Sequence, residues 1–393
     1  MQDRPLRFGV FLPPMHKTGT NPTLNFERDL LLVEHLDQLG FDEVWIGEHH
    51  SAGYEIIASP ELFIAAASQR TRHIRLGTGV SSLPYHHPLM LADRINQLDH
   101  MTRGRVMFGV GPGALPSDAF MMGIDPLKQR DMMDEAIAVL VPLLRGEVVS
   151  AEAGWFTLRD ARLQLPPFTL PHVEICVASQ VSPAGARAAG KHGLGLLSIG
   201  ATSTGGFNAL ATNWEICEGR AKEFDRNVRR EQWRLVGPMH IAETREQAVE
   251  DVRYGLEKWL YYFREVAALP LAPSGGIESA VEAMRNSGLA VIGNPDDAAA
   301  QLERLEAQSG GYGAFLFMDH NWADWPRKLR SYELFAQHVM PRFKRLNDAR
   351  VASMRWASGN RTTFMGAVGN ALNQEVQKHV ADVQRRQREG GSS

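Results

Sequence analysis

Val44-Trp45-Ile46-Gly47-Glu48-His49-His50 is a short apolar run that stops abruptly at three ionisable residues. A buried parallel strand emptying into a site has this form. Parallel strands are covered on both faces and read as unbroken apolar runs. In α/β folds, ligands bind where such strands end. The stretch therefore places Glu48, His49 and His50 at a pocket mouth.

The same punctuation recurs on either side. Upstream, Arg7 to Pro13 reads as a buried strand, and Phe26, Leu30, Val33, Leu36 and Leu39 have helical spacing up to Gly40. Downstream, Ser59-Pro60-Glu61 opens a helix with a cap, a first-turn proline and an acid. Strands follow at 74–80 and 105–111, with a helix over 88–101 between them and a Gly/Pro-rich loop and a helix over 127–144 after them. At 146–170 the alternation breaks for a hairpin insertion carrying Trp155-Phe156. It resumes with a strand at 174–178, a helix from Ser182, a strand at 194–199, a helix to about Phe224, a strand at 233–241 and a helix over 245–269. An irregular excursion at 270–292 precedes a capped helix at Asn294-Pro295, and Ala314 to Met318 is the eighth core strand. Eight strand–helix pairs predict a (β/α)8 TIM barrel, with insertions accounting for length beyond the usual ~250 residues. The expected division is a barrel over 1–343 and a partly disordered helical extension over 344–393.

Composition agrees with a soluble globular chain: 44% of residues are hydrophobic and 22% charged. A net charge of −3 provides no field for nucleic acid or a membrane surface. Two cysteines exclude a disulfide framework. Met1-Gln2-Asp3-Arg4 leads straight into a strand pattern, so no signal peptide is expected, and no run reaches the ~18–20 apolar residues that span a bilayer. A cytoplasmic location is expected. Leu372, Val376, Val380 and Val383 form one narrow apolar stripe, suited to the parent domain or a second subunit.

His49 and His50, as strand neighbours, point to opposite faces and are badly placed to chelate one metal. No metal site is expected. Gly109-x-Gly111-x-Gly113 is a weak dinucleotide motif, because Pro112 and Pro116 interrupt the place where its helix would start. Close approach of something flat to these glycines and to Gly77 and Gly79 is the better reading, beside simple tight turns. Helix N-termini attract anions. Of the proline-marked starts, only Ser179-Gln180-Val181-Ser182-Pro183 brings no acid, and Arg187 follows one turn on. It is the candidate phosphate loop, with an ordinary cap by Ser182 as the alternative. Trp155-Phe156 suits either a lid or a packed rim. Asp319-His320 suits either the pocket or a loop cap.

Together the residues resemble the bacterial luciferase-like family of flavin-dependent monooxygenases. The resemblance rests on Phe8-Gly-Val-Phe, on Gly40-Phe41-Asp42 leading to Glu48-His49-His50, on Leu76-Gly77-Thr78-Gly79-Val80-Ser81-Ser82-Leu83-Pro84, on Gly104-Arg105 with Phe108-Gly109-x-Gly111, and on Ala178-Ser179. Pro60-Glu61-Leu62 and Gly111-x-Gly113-Ala114-x-Pro116 resemble the terpenoid-oxidising diketocamphane and limonene monooxygenases.

The resemblance implies reduced FMN delivered by a separate NAD(P)H:flavin reductase. It implies O2 chemistry through a peroxyflavin, an apolar cyclic or long-chain substrate, and a homodimer. It implies catalytic roles for His49, Glu48 and His50. Cofactor contacts are implied at Gly79, Val80, Ser81, Gly111 and Ala178, with a cis Gly79–Val80 peptide, and phosphate contacts at Ser179, Gln180, Ser182 and Pro183. The family's phosphate-binding arginine is replaced by Pro112, its acid by Ser179 and its reactive cysteine by Gly111, so light emission is not expected. An F420-dependent dehydrogenase on the same barrel and a non-catalytic flavin binder are the competing readings.

Overall fold

The computed structural model describes residues 5–180, 182–200, 202, 208–267 and 272–389, apart from the side chains at 208 and 209. Val181, Leu269 and Pro270 of the readings above, and Met1 to Arg4, lie outside the described residues. The strands in chain order are β1 (Arg7–Leu12), β2 (Glu43–Ile46), β3 (Arg75–Ser82), β4 (Val106–Gly111), β5 (Val149–Glu152), β6 (Thr157–Ala161), β7 (Glu174–Ser179), β8 (Gly195–Ile199), β9 (Trp233–Ile241), β10 (Val291–Gly293) and β11 (Ala314–Met318). Eight of them run parallel in the order β1-β2-β3-β4-β7-β8-β9-β11, and β11 returns to β1. The ring is a (β/α)8 barrel, as the alternation predicted. β5 and β6 form the antiparallel hairpin.

Local signals place the helices. Asn21 caps the helix Pro22–Leu39, accepting from the N–H groups of Thr23 and Leu24, so it starts four residues before Phe26, the first residue of the apolar spacing. Gly40 ends it at φ 79°. Asn294 and Asp297 form a capping box at the start of Pro295–Ser309.

The structure departs from the sequence reading in three places. The excursion before the last strand is not irregular: it holds the helix Ile277–Asn286 and β10, which pairs with β9 outside the ring. The expected helix 245–269 is broken into Arg245–Val252, Leu256–Tyr261 and a π turn over Tyr262–Val266. Gly255 sits at the break, where a Cβ would lie 1.8 Å from the Asn321 carbonyl oxygen and its N–H donates to Trp322 O at 2.8 Å. A tertiary contact overrides the helical period there. The Gly/Pro-rich loop after β4 contains a short helix, Pro116–Met121.

The barrel interior is filled by Phe11, Trp45, Met107, Cys176, Leu197, Val236, Leu316 and Met318. The Trp45 indole is fully buried there. A Cβ on Gly77 would lie 2.6 Å from its ring, and one on Gly109 would lie 3.1 Å from it. The flat object these two glycines admit is therefore an internal side chain. A larger cluster packs the strands against the outer helices.

The chain divides into two compact units, Met1–Phe343 and Lys344–Ser393. The second consists, over its described residues, of the helices Asp348–Gly359 and Arg361–Glu389. No helix among the described residues is long and apolar enough to cross a membrane.

Candidate active site

A cavity of about 420 Å³ opens at the carboxyl ends of the strands. Its apolar wall comes from Phe11, Val80, Ala178, Ile199, Phe263 and Met318. Glu48, His49, Glu55 and Ser82 line it, as do Ser179, Gln180, Ser182 and Arg130. The volume falls in the range of small-molecule sites, about 300–1,000 Å³.

His49 is held between two carboxylates. Its Nδ1 lies 3.1 Å from Asp118 Oδ2 and its Nε2 3.3 Å from Glu55 Oε2. The imidazolium donates to the first and attracts the second by charge. Burial alone would lower its pKa, but Glu55 and Asp118 outweigh burial and raise it above the ordinary imidazole value. Asp118 comes from the short helix Pro116–Met121, is buried, and also accepts from the His50 N–H at 3.1 Å. Glu55 Oε1 accepts from the Tyr262 hydroxyl at 2.7 Å.

Glu48 is buried beside this chain of contacts. It accepts from the Ser82 N–H at 3.0 Å, and its Oε1 lies 2.9 Å from His50 Nε2 and 3.0 Å from His86 Nε2. Arg94 donates to His86 Nδ1 at 3.2 Å, so the proton facing Glu48 is on Nε2. Burial would raise the Glu48 pKa, but the two histidines and the Ser82 N–H hold it below the ordinary glutamate value.

The other end of the cavity differs in character. The helix Ala184–His192 starts there with no acid in its first turn. Gly185 packs so closely that a Cβ would lie 2.1 Å from the Ala178 carbonyl oxygen. The Ser179 hydroxyl is buried and, among the described residues, has no hydrogen-bond partner. The N-cap is Pro183 rather than Ser182, whose hydroxyl accepts from the Ala184 N–H at 3.3 Å. Arg187 is exposed and does not line the cavity, whereas Arg130 does.

The residues singled out from sequence are thus only partly brought together. Glu48, His49, Gly79, Val80, Ala178, Ser179, Gln180 and Ser182 line the cavity; His50, Ser81, Gly111 and Pro183 do not. His50 turns its ring to Glu48 and stacks edge-on against Tyr85. The Gly111 Cα faces Val80, whose Cγ2 would lie 2.6 Å from an added Cβ. β3 carries one extra residue between Thr78 and Ser81 relative to β4, and the Gly79–Val80 peptide is cis. Such a bulge re-aims side chains, and here Val80 faces the cavity while Ser81 does not.

Asp319 is buried against Lys328 Nζ at 2.6 Å and the Tyr332 hydroxyl at 2.7 Å. His320 accepts from the Trp322 N–H at 3.3 Å, so this pair caps its loop outside the cavity. Phe156 is buried in the outer core and Trp155 donates to Glu135 at 2.8 Å, which makes the hairpin a packed rim. Sequence reasoning missed Glu55, Asp118, Tyr262 and Arg130. Only Asp118 carried a local signal, as the acid two residues past Leu115-Pro116. Among the described residues no cluster of His, Cys, Asp and Glu is arranged to hold a metal.

The luciferase-like monooxygenase family model matches residues 6–372. The chain belongs to that family. It is 48% identical over 336 residues to limonene 1,2-monooxygenase of Rhodococcus erythropolis, covering 86% of each chain. It is 42% identical over 360 residues to 4-hydroxyprotoasukamycin monooxygenase of Streptomyces nodosus subsp. asukaensis, covering 90% of this chain and 96% of the other. Among solved structures, the fold matches the oxygenating constituent of 3,6-diketocamphane monooxygenase from Pseudomonas putida, a type II Baeyer-Villiger enzyme in complex with FMN. The TM-score is 0.71 at 24% identity, over 86% of this chain and 98% of that one. These relatives are monooxygenases, and the luciferase-like family places this chain among the oxidoreductases. The resemblance read from residues 8–179 was to this same family.

Proposed function

We propose that this chain is the oxygenase component of a two-component system that uses reduced FMN and O2 to oxidise an apolar cyclic substrate of the monoterpene class. One observation carries the reading. A single cavity joins a buried hydroxyl, unpartnered among the described residues, at an acid-free helix start to a histidine clamped by two carboxylates, across an apolar wall. The two ends suit a phosphate-tailed redox ring and a proton donor. The 48% identity to a limonene monooxygenase supports the substrate class.

Ser179, Gln180, Ser182 and Arg130 would hold the phosphate, the first by the hydroxyl left free and the last by charge. Gly79, Val80 and Ala178 would flank the ring. Bound reduced FMN supplies the electrons that activate O2 for transfer of one oxygen atom. His49 holds a proton on Nε2 between Glu55 and the cavity and can deliver it near neutral pH. Phe11, Ile199, Phe263 and Met318 keep water from the reacting region and give an apolar substrate its contact surface. Glu48 fixes His50 and His86 and so braces the loop that carries His49.

The test supplies photoreduced FMN, O2 and limonene to the purified protein without any reductase. A product heavier by one oxygen atom, labelled from 18O2, is expected. Retention of reduced F420 in preference to reduced FMN, with no labelled product from limonene or a bicyclic ketone, sinks the reading.

A further inference from the structure

The helix Arg361–Glu389 carries an apolar face that is symmetric about its own midpoint. Met365, Val368, Leu372, Val376, Val380 and Val383 are all exposed, between 39% and 63% of their surface. At about 100° per residue they fall on one face roughly 120° wide. Their spacings along the chain are 3, 4, 4, 4 and 3, identical from either end. Gln374 is the centre: Met365 mirrors Val383, Val368 mirrors Val380, and Leu372 mirrors Val376.

Two-fold contacts are self-complementary: if residue i of one copy meets j, then j meets i. An antiparallel pair of these helices, with the axis at the level of Gln374, seats each of these six apolar residues on its mirror. Between Met365 and Val383 the same face holds two other residues, Gly369 and His379, which also mirror each other. Gly369 has open space where a Cβ would stand, so the imidazole meets the one position without a side chain.

Charge distribution selects the direction. Residues 361–374 carry one charged side chain, Arg361, whereas Glu375, Lys378, Asp382, Arg385, Arg386, Arg388 and Glu389 crowd the second half. Antiparallel pairing lays the charged half on the neutral half. Parallel pairing would oppose Lys378 to Lys378 and the Arg385-Arg386 pair to itself, and like charges face to face are destabilising.

We propose that this helix is an antiparallel, two-fold docking surface for a second copy of the same chain, centred on Gln374. The proposal is independent of the cavity's chemistry.

Disulfide trapping in the full chain tests it. Met365→Cys with Val383→Cys should give a covalent dimer on mild oxidation, because these positions face each other across the pair. Met365→Cys alone and Val383→Cys alone should not, since each lies about five turns from its own copy. The native Cys176 and Cys217 are buried and give little background. Adding Leu372→Glu and Val376→Glu should abolish the covalent dimer while far-UV circular dichroism stays unchanged, since both residues are exposed. Absence of the double-cysteine dimer overturns the proposal. So does equal trapping by the single-cysteine variants, which indicates parallel pairing or random collision, and so does trapping that survives the two glutamates.

Discussion

The second strand ends in a carboxylate at each pole, and the two have opposite fates. Glu43 opens β2 inside the barrel floor. There Arg234 donates to it through Nε at 3.0 Å and through Nη2 at 2.9 Å, Arg7 lies 2.9 Å away, and Trp45 donates its indole N–H at 3.0 Å. Arg234 in turn reaches Glu174 and is fully buried. Every charge in that network faces an opposite charge within the protein. Glu48, just past the other end of β2, belongs to a cluster that borders a cavity. Its neighbour His49 has two carboxylate partners and an open side. The lower network closes on itself and holds strand ends together. The upper one keeps a titratable group exposed to a ligand. In barrels, the face at which strands start is a place for stability and the face at which they end is a place for chemistry.

Breaking the lower network should have the largest effect. Arg234→Met removes the buried cation that Glu43 and Glu174 share and leaves them only the partly exposed Arg7 and Arg75, and loss of one partner of a buried pair costs about 3–5 kcal/mol. Urea denaturation should show this loss or a chain that no longer folds, and a loss below about 1 kcal/mol would mean the network is not closed.

The upper network should fail in function first. His49→Ala is expected to lower turnover by about 10²–10⁴-fold, the usual contribution of a positioned proton donor. Flavin retention should be nearly unchanged. Turnover within threefold of the parent chain would remove His49 from the chemistry.

The third comparison uses pH. His49 has a folded-state pKa raised above its usual 6.5, so its stabilising contribution is complete below that value and is lost as pH rises through the folded-state value. Glu48 is the opposite case: its contribution is present above 4.5 and is lost as pH falls through its depressed folded-state value. Melting temperature should therefore fall as pH rises above 6.5, and Glu55→Gln should flatten that fall by removing one of the two carboxylates. An NMR titration of the His49 ring should show its pKa drop in the variant. An unchanged titration would leave Glu55 without a role in charging His49.

The smallest effect is expected at Ser179. Its hydroxyl has no partner among the described residues, so Ser179→Ala should cost no stability. A lost hydrogen bond to a charged ligand group should weaken FMN binding roughly tenfold, read by isothermal titration. Equal affinity for FMN and riboflavin in the parent chain would show that the phosphate end does not bind there.

Much of this was legible in the sequence because it is local. The strand–helix alternation follows from unbroken apolar runs and from caps such as Gly40 and Asn294, each of which acts within four residues of itself. Glu48 and His49 announced themselves by ending an apolar run. His50 and Gly111 stand off the cavity for a local reason too, since adjacency along the chain does not fix which way a residue at or past a strand end turns. The glycines at 77 and 109 were rightly read as admitting something flat, and wrongly placed at the cavity, because the indole that fills the gap comes from another strand.

The amino-acid order by itself determined the barrel, its hairpin and the family, since periodicity, capping and short motifs are properties of neighbouring residues. Only the tertiary structure decided which groups set the charge on His49. Asp118 stands 69 positions along the chain from it, and Tyr262 stands 207 positions from Glu55. Those contacts exist only after the barrel has closed and its loops have converged over one mouth, and no local pattern encodes a meeting between segments so far apart.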